Sequence, residues 1–188
     1  MSSSLSGEIV WHALKEPWIE FKVRQGLHHL LTPIGDGKLH KQIVGHTGTI
    51  RSATEQYTIH SAAAEFSSDL LRVPKLYGLV NHRSYVMEHI YGGFNYPKNC
   101  YHLHPLLVEE LEKFSVFMKQ RGYYPYGYSV LQTEINRFVL VDFSGFGTID
   151  RGFVSFKHNK APLSIDDVDI HYGLISDIYV ITEDDLYL

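Results

Sequence analysis

The chain predicts an α+β fold in two lobes, and three observations carry that expectation. Apolar and polar residues alternate in strand-like runs on both sides of one helical stretch. Gly92 and Gly93 then break the chain, and a second helical stripe with a hairpin follows the break. The 188 residues suffice for one or two small domains with a real core. The expected organisation is a short flexible tail over 1–17, a sheet-plus-helix unit over 18–90, and a helix-and-hairpin unit over 91–188.

Each element has its own signal. Trp18 to Val23, "WIEFKV", alternates large apolar and polar residues. "GDG" at Gly35 to Gly37 is a turn signal between two apolar runs, "LLTPI" and "KLHKQIV", so the first part reads as a meander of three strands. From Thr49 to Phe66 the period becomes helical, with Ile50, Ala53, Tyr57 and Ala64 on one side and alanines at 62 to 64. "VPKLYGLVNHRSYVMEHI" gives two more strands around a turn at Asn81 to Arg83, with Val73 pushed toward extended geometry by Pro74. "FNYPKNCYHLHP" reads as loop. Pro105 opens a helix to about Gln120, whose stripe runs through Leu106, Leu107, Glu110, Leu111, Phe114, Phe117 and Met118. A short strand "YSVLQ", a turn "TEIN" and a strand "RFVLVDF" close the readable part. The rest is a mixed segment with an acidic end.

Composition removes several function classes. No apolar run approaches the roughly 18 residues needed to span a bilayer, and "MSSSLSGE" lacks a basic, apolar signal pattern. One cysteine, Cys100, suits a reducing compartment and leaves no internal disulfide framework, so a cytoplasmic setting is expected. With a formal net charge of -4 and scattered basic residues, nothing resembles a phosphate-backbone footprint, and nucleic acid is not an expected partner. His28, His29 and the pair His102 and His104 lack partners at metal-ligand spacing and read as surface or core histidines. Residues 150–188 carry Phe153, Phe156, Leu174, Ile175, Ile178 and Tyr179 on few predicted elements, so contact with a partner protein or a second copy is expected there.

The order of elements resembles the protein-kinase fold, and several short motifs agree with it in sequence order. "VPKLYGLVNHRSYVMEHI" is similar to the segment entering the hinge between kinase lobes, with Met87, Glu88 and His89 at the hinge. "VLVDFSGFG" is similar to the strand and magnesium-binding loop written Asp-Phe-Gly in kinases, with Asp142, Phe143 and Ser144 in those places. "KLHKQIV" resembles the strand of the phosphate-pairing lysine, with Lys41 a better match than Lys38. Gly26 falls where a glycine-rich loop covers the phosphates, and Asp177 in "ISDIYVI" falls where a buried helix braces the catalytic loop. The resemblance spans roughly residues 18 to 180. It implies a five-stranded antiparallel N-lobe, a truncated C-lobe, and ATP and magnesium as the cofactors of an intact site, with nucleotide contacts from Gly26, Lys41, Glu88, His89 and Asp142.

The catalytic parts depart from the family pattern. Counting back from Asp142 without gaps puts the catalytic Asp position at Tyr124 and the metal-binding Asn position at Ser129. A tyrosine of ordinary pKa near 10 is no carboxylate base at neutral pH, and a serine is a weak magnesium ligand. In the helix, Gln56 or Glu55 faces Lys41, and the apolar register favours Gln56, which forms no ion pair. Tyr123, Tyr124, Tyr126 and Tyr128 either fill a groove that no longer admits nucleotide or form an exposed binding patch. Asp142 either keeps a metal or nucleotide contact or simply caps the turn after its strand.

Two expectations follow from the resemblance. One is a catalytically impaired kinase-like protein, similar to the minimal kinase-like proteins of viruses and bacterial effectors, that binds and regulates a protein partner, in the host cytoplasm if it comes from such a source. The other is an atypical ATP- and magnesium-dependent phosphotransferase using Asp142, Lys41 and a displaced acid such as Glu134 or Asp150.

Overall fold

The computed structural model describes residues 29–44, 50–157 and 161–172. The expected strand Trp18 to Val23, Gly26, Asp177 and the apolar residues from Leu174 onward lie outside the described residues. The fold is α+β, built mostly from antiparallel sheets with few helices.

The first sheet has the order β1-β2-β5-β4, formed by β1 (His29–Gly35), β2 (Lys38–Ile43), β4 (Leu76–Asn81) and β5 (Ser84–Glu88). The "GDG" turn joins β1 to β2 as expected. Gly35, Asp36 and Gly37 all have positive φ there, which glycine tolerates freely and aspartate better than most residues. Helix α1 (Ala53–Ala63) packs on this sheet and buries Ala53 with Leu31, Leu39 and Tyr85. Its start is fixed by Ser52 and Glu55, which cap each other's backbone amides in a capping box.

The second sheet, β3-β9-β8-β6, contains β3 (Leu71–Arg72), β6 (Phe94–Tyr96), β8 (Ser129–Glu134) and β9 (Arg137–Val141). The expected hairpin is β8 and β9, with Asn136 at positive φ in its turn. Among the described residues, only β3 runs parallel to its neighbour. The segment read as loop from Phe94 to Pro105 instead holds β6 and a 3-10 helix over Lys98–Leu103. Its polar, proline-containing sequence hides a strand whose stability comes from pairing with β8.

Helix α2 (Pro105–Gln120) begins at Pro105, with the His104 ring accepting from the Leu107 amide at 3.2 Å. Leu107, Leu111, Phe114 and Met118 are fully buried in the main core with Phe138, Leu140, Phe143 and Phe146. Burying a ring such as Phe114 stabilises by about 2–3 kcal/mol. Leu106 departs from the expected stripe and is exposed.

The mixed segment forms a third sheet, β12-β11-β10-β7, from β7 (Tyr123–Tyr124), β10 (Gly147–Asp150), β11 (Phe153–Ser155) and β12 (Leu163–Ser164), followed by α3 (Ile165–Tyr172). Phe156 is buried there with Val154 and Tyr124, whereas Phe153 is exposed. Gly147 is required at its site, because a β-carbon would meet Val154 at 2.5 Å. Among the described residues, no helix is long and apolar enough to cross a membrane.

Candidate functional site

Strand β2 turns Leu39, Lys41 and Ile43 to the same buried face. A lysine at a core-facing position is costly unless its charge is answered. Lys41 Nζ lies 3.7 Å from Asp142 Oδ1 and 5.7 Å from the ring centre of Tyr85, its neighbour on β5. The lysine side chain is 6% exposed and the aspartate 28%.

Asp142 follows β9 and holds φ at 66°, a left-handed backbone that is strained for a residue with a side chain. Its Oδ1 accepts from the Ser144 hydroxyl at 2.7 Å and from the Ser144 amide at 3.2 Å. Asp142 therefore caps the turn, as one of the two expectations had it, and it also meets the lysine. Burial works to raise its pKa, but Lys41, His29 and the two Ser144 hydrogen bonds outweigh it and hold the carboxyl below its usual range.

Helix α1 sets the next layer. Gln56 is fully buried and donates Nε2 to the Arg51 carbonyl at 2.8 Å. Glu55 is committed to the cap with Ser52 and to Arg51 and Lys157, so the buried register belongs to Gln56. One turn on, His60 is buried against Phe143 at 4.5 Å between ring centres, with Nε2 2.8 Å from the Pro74 carbonyl oxygen. Burial, with a smaller push from Lys41 against the Pro74 bond, takes its pKa down to about 3, so the ring is neutral.

The hinge candidates are engaged in structure. Glu88 binds Arg72 through two contacts of 2.8 and 3.0 Å, and also accepts from the Lys75 amide. The Glu88 and His89 amides donate to the Lys75 and Gly37 carbonyls. Neither amide is left to hydrogen-bond a nucleotide base. Gly26 lies outside the described residues.

The tyrosine-rich loop faces inward. Tyr124 and Tyr128 are buried, and Tyr123 and Tyr126 are half-buried against the core. The exposed-patch alternative is therefore corrected for Tyr124 and Tyr128, which serve as packing. The rings bury because the loop closes on Gly145, where a β-carbon would strike the Tyr126 carbonyl at 2.7 Å. Tyr124, at the expected base position, donates its hydroxyl to Asp169 Oδ1 at 2.8 Å, and Lys119 reaches the same oxygen at 2.6 Å. Ser129 is a strand residue opposite Val141.

The displaced-acid candidates do not join this centre. Glu134 pairs with Arg137 at the hairpin tip, and Asp150 is exposed opposite Phe153. No group of three or more His, Cys, Asp or Glu positioned for a metal occurs among the described residues. Asp142 alone, its Oδ1 shared by Ser144 and Lys41, does not fit a magnesium site that needs several oxygen ligands.

Sequence reasoning passed over Arg51, His60 and Asp169. Arg51 is buried and donates Nε to the Phe146 carbonyl at 2.6 Å, tying the start of α1 to the loop after Asp142. Its signal was its place just before the Ser52-x-x-Glu55 cap. His60 was findable as the residue one turn beyond Gln56 on the inward face. Asp169 carried no local signal. The chain matches no protein-family model, no curated protein and no solved structure.

Proposed function

We propose that this chain is a catalytically impaired, kinase-like protein that serves as a binding and regulatory module for a protein partner. The observation that carries the reading is the Lys41–Asp142 pair at 3.7 Å. It joins the two residues that the kinase resemblance singles out, while no group of three or more His, Cys, Asp or Glu positioned for a metal stands with them among the described residues. An ammonium group answers the Asp142 charge. Tyr124, engaged with Asp169, replaces a carboxylate base with a phenol held in the core. The four-stranded sheet with α1 against it supports the N-lobe half of the resemblance. A reducing cytoplasm, the host's if the source is a virus or effector-producing bacterium, is the setting that fits one cysteine.

The same ion pair favours one competing reading, an atypical ATP- and magnesium-dependent phosphotransferase built on Lys41 and Asp142. A thermal-shift titration separates the two. ATP or ADP at millimolar concentration, with magnesium or manganese, is expected to leave the midpoint unchanged, because ligand that binds only the native state must raise it. A metal-dependent rise abolished by both Asp142→Asn and Lys41→Met would overturn the impaired reading in favour of the phosphotransferase.

A further inference from the structure

A second concave region lies apart from Lys41 and Asp142, neither of which lines it. A cavity of about 590 Å³ opens between Arg72 on β3, Glu88 and His89 at the end of β5, and Glu134 and Arg137 on the β8–β9 hairpin. A smaller hollow of about 300 Å³ is bounded by Asp69, Leu70, Leu106, Glu109 and Glu110. The two are adjoining hollows, a divided groove with Ser68, Asp69 and Leu70 between them.

Its charge is one-sided. Five carboxylates line the groove against two guanidiniums. Both guanidiniums are already spoken for, Arg72 by Glu88 and Arg137 by Glu134. Glu109 and Glu110 share Lys113 between them, and Asp69 is exposed on the ridge common to both hollows. Two apolar side chains of the lining stand well out into solvent, Tyr91 at 64% exposed in the larger hollow and Leu106 at 58% in the smaller. Beneath Tyr91, whose ring centre is 4.0 Å away, lies His89, 6% exposed, with neither ring nitrogen meeting a hydrogen-bond partner. Burial lowers its pKa, so the ring is neutral and keeps one nitrogen able to accept. An unpaired buried imidazole is costly, and a donor from a docked segment reaching it beside Tyr91 would satisfy it.

We propose that this groove docks a short basic segment of a partner protein, with apolar side chains of the segment against Tyr91 and Leu106. Glu88, Glu134, Glu109 and Glu110 are themselves paired, so a lysine or arginine is favoured by the excess of carboxylates over guanidiniums and by the exposed Asp69. The inference deepens the binding-module reading and rests on it only in taking the partner to be a protein.

The test is fluorescence anisotropy of the full chain with a labelled peptide of lysine and arginine carrying one leucine, beside the same peptide with glutamate in place of the basic residues. Saturable binding of the basic peptide alone is expected, weakening as salt rises. Asp69→Lys combined with Glu134→Lys, both exposed positions, should weaken it roughly tenfold. Asp150→Lys combined with Asp166→Lys makes the same charge change elsewhere on the surface and should leave it intact. No saturable rise, equal binding of the acidic peptide, or equal loss in both double variants would overturn the groove. Its failure is distinguishable from that of the impaired-kinase reading: a metal-dependent nucleotide shift with intact peptide binding fells only the latter, and the reverse pattern fells only the groove.

Discussion

Two ion pairs join the first sheet to the second, and they are built in opposite ways. Arg72–Glu88 links β3 to β5 with two short contacts in a half-exposed setting. Lys41–Asp142 links β2 to the end of β9 across 3.7 Å, with the lysine almost fully buried. The good geometry sits where water already screens the charges, and the looser geometry sits where desolvation is most costly. Arg72–Glu88 is what a structural clamp looks like. Lys41–Asp142 keeps two charges and a left-handed backbone in a place where apolar residues would cost less.

The sharpest way to break this contrast is to remove one charge at a time at the buried pair. Asp142→Ala removes the carboxylate that faces the Lys41 ammonium and is expected to cost about 2–4 kcal/mol, reduced from the fully buried figure because Asp142 is partly exposed. Lys41→Met leaves an aspartate that Ser144 still serves, and should cost about 1 kcal/mol or less. Urea denaturation of the two variants measures the asymmetry, and equal costs would mean that the pair is an ordinary clamp.

Acid offers a second lever on the same junction. His60 is neutral in the fold, with its pKa down to about 3 from an ordinary 6.5. The unfolded chain takes up that proton first, so stability is full above about pH 6.5 and is lost as pH falls toward 3. The slope approaches about 1.4 kcal/mol per pH unit for one such group. Asp142 and Glu88 have pKa values held below the ordinary carboxylate range, so their contribution is lost only at lower pH, below about 4.5. Denaturation between pH 6.5 and 5 should therefore show a shallower loss in His60→Leu than in the wild type, with His89 supplying part of what remains. Parallel curves would mean that His60 is charged in the fold.

The smallest effect belongs to the exposed pair. Glu88→Gln should cost only about 0.5–1 kcal/mol, and less at high salt. A cost matching that of Asp142→Ala would erase the contrast between the two pairs.

The sequence by itself determined the elements with strong local signals. The "GDG" turn, the α2 stripe through Leu107, Leu111, Phe114 and Met118, and the β8–β9 hairpin needed only period, turn chemistry and capping. The resemblance to the kinase motifs put Lys41 and Asp142 on a short list, and the structure adds that Lys41 shares the buried face of Leu39 and Ile43. Tertiary structure alone decided that those two residues meet, 101 positions apart in the chain. It also decided that Tyr124 and Tyr128 turn into the core, that Arg51 reaches the Phe146 carbonyl, and that β3, β6 and β7 exist at all. Strands of two or three residues carry too little periodicity to announce themselves. Their hydrogen bonds, like the partner of a buried charge, are supplied by segments distant in sequence, and only the folded chain brings those within reach.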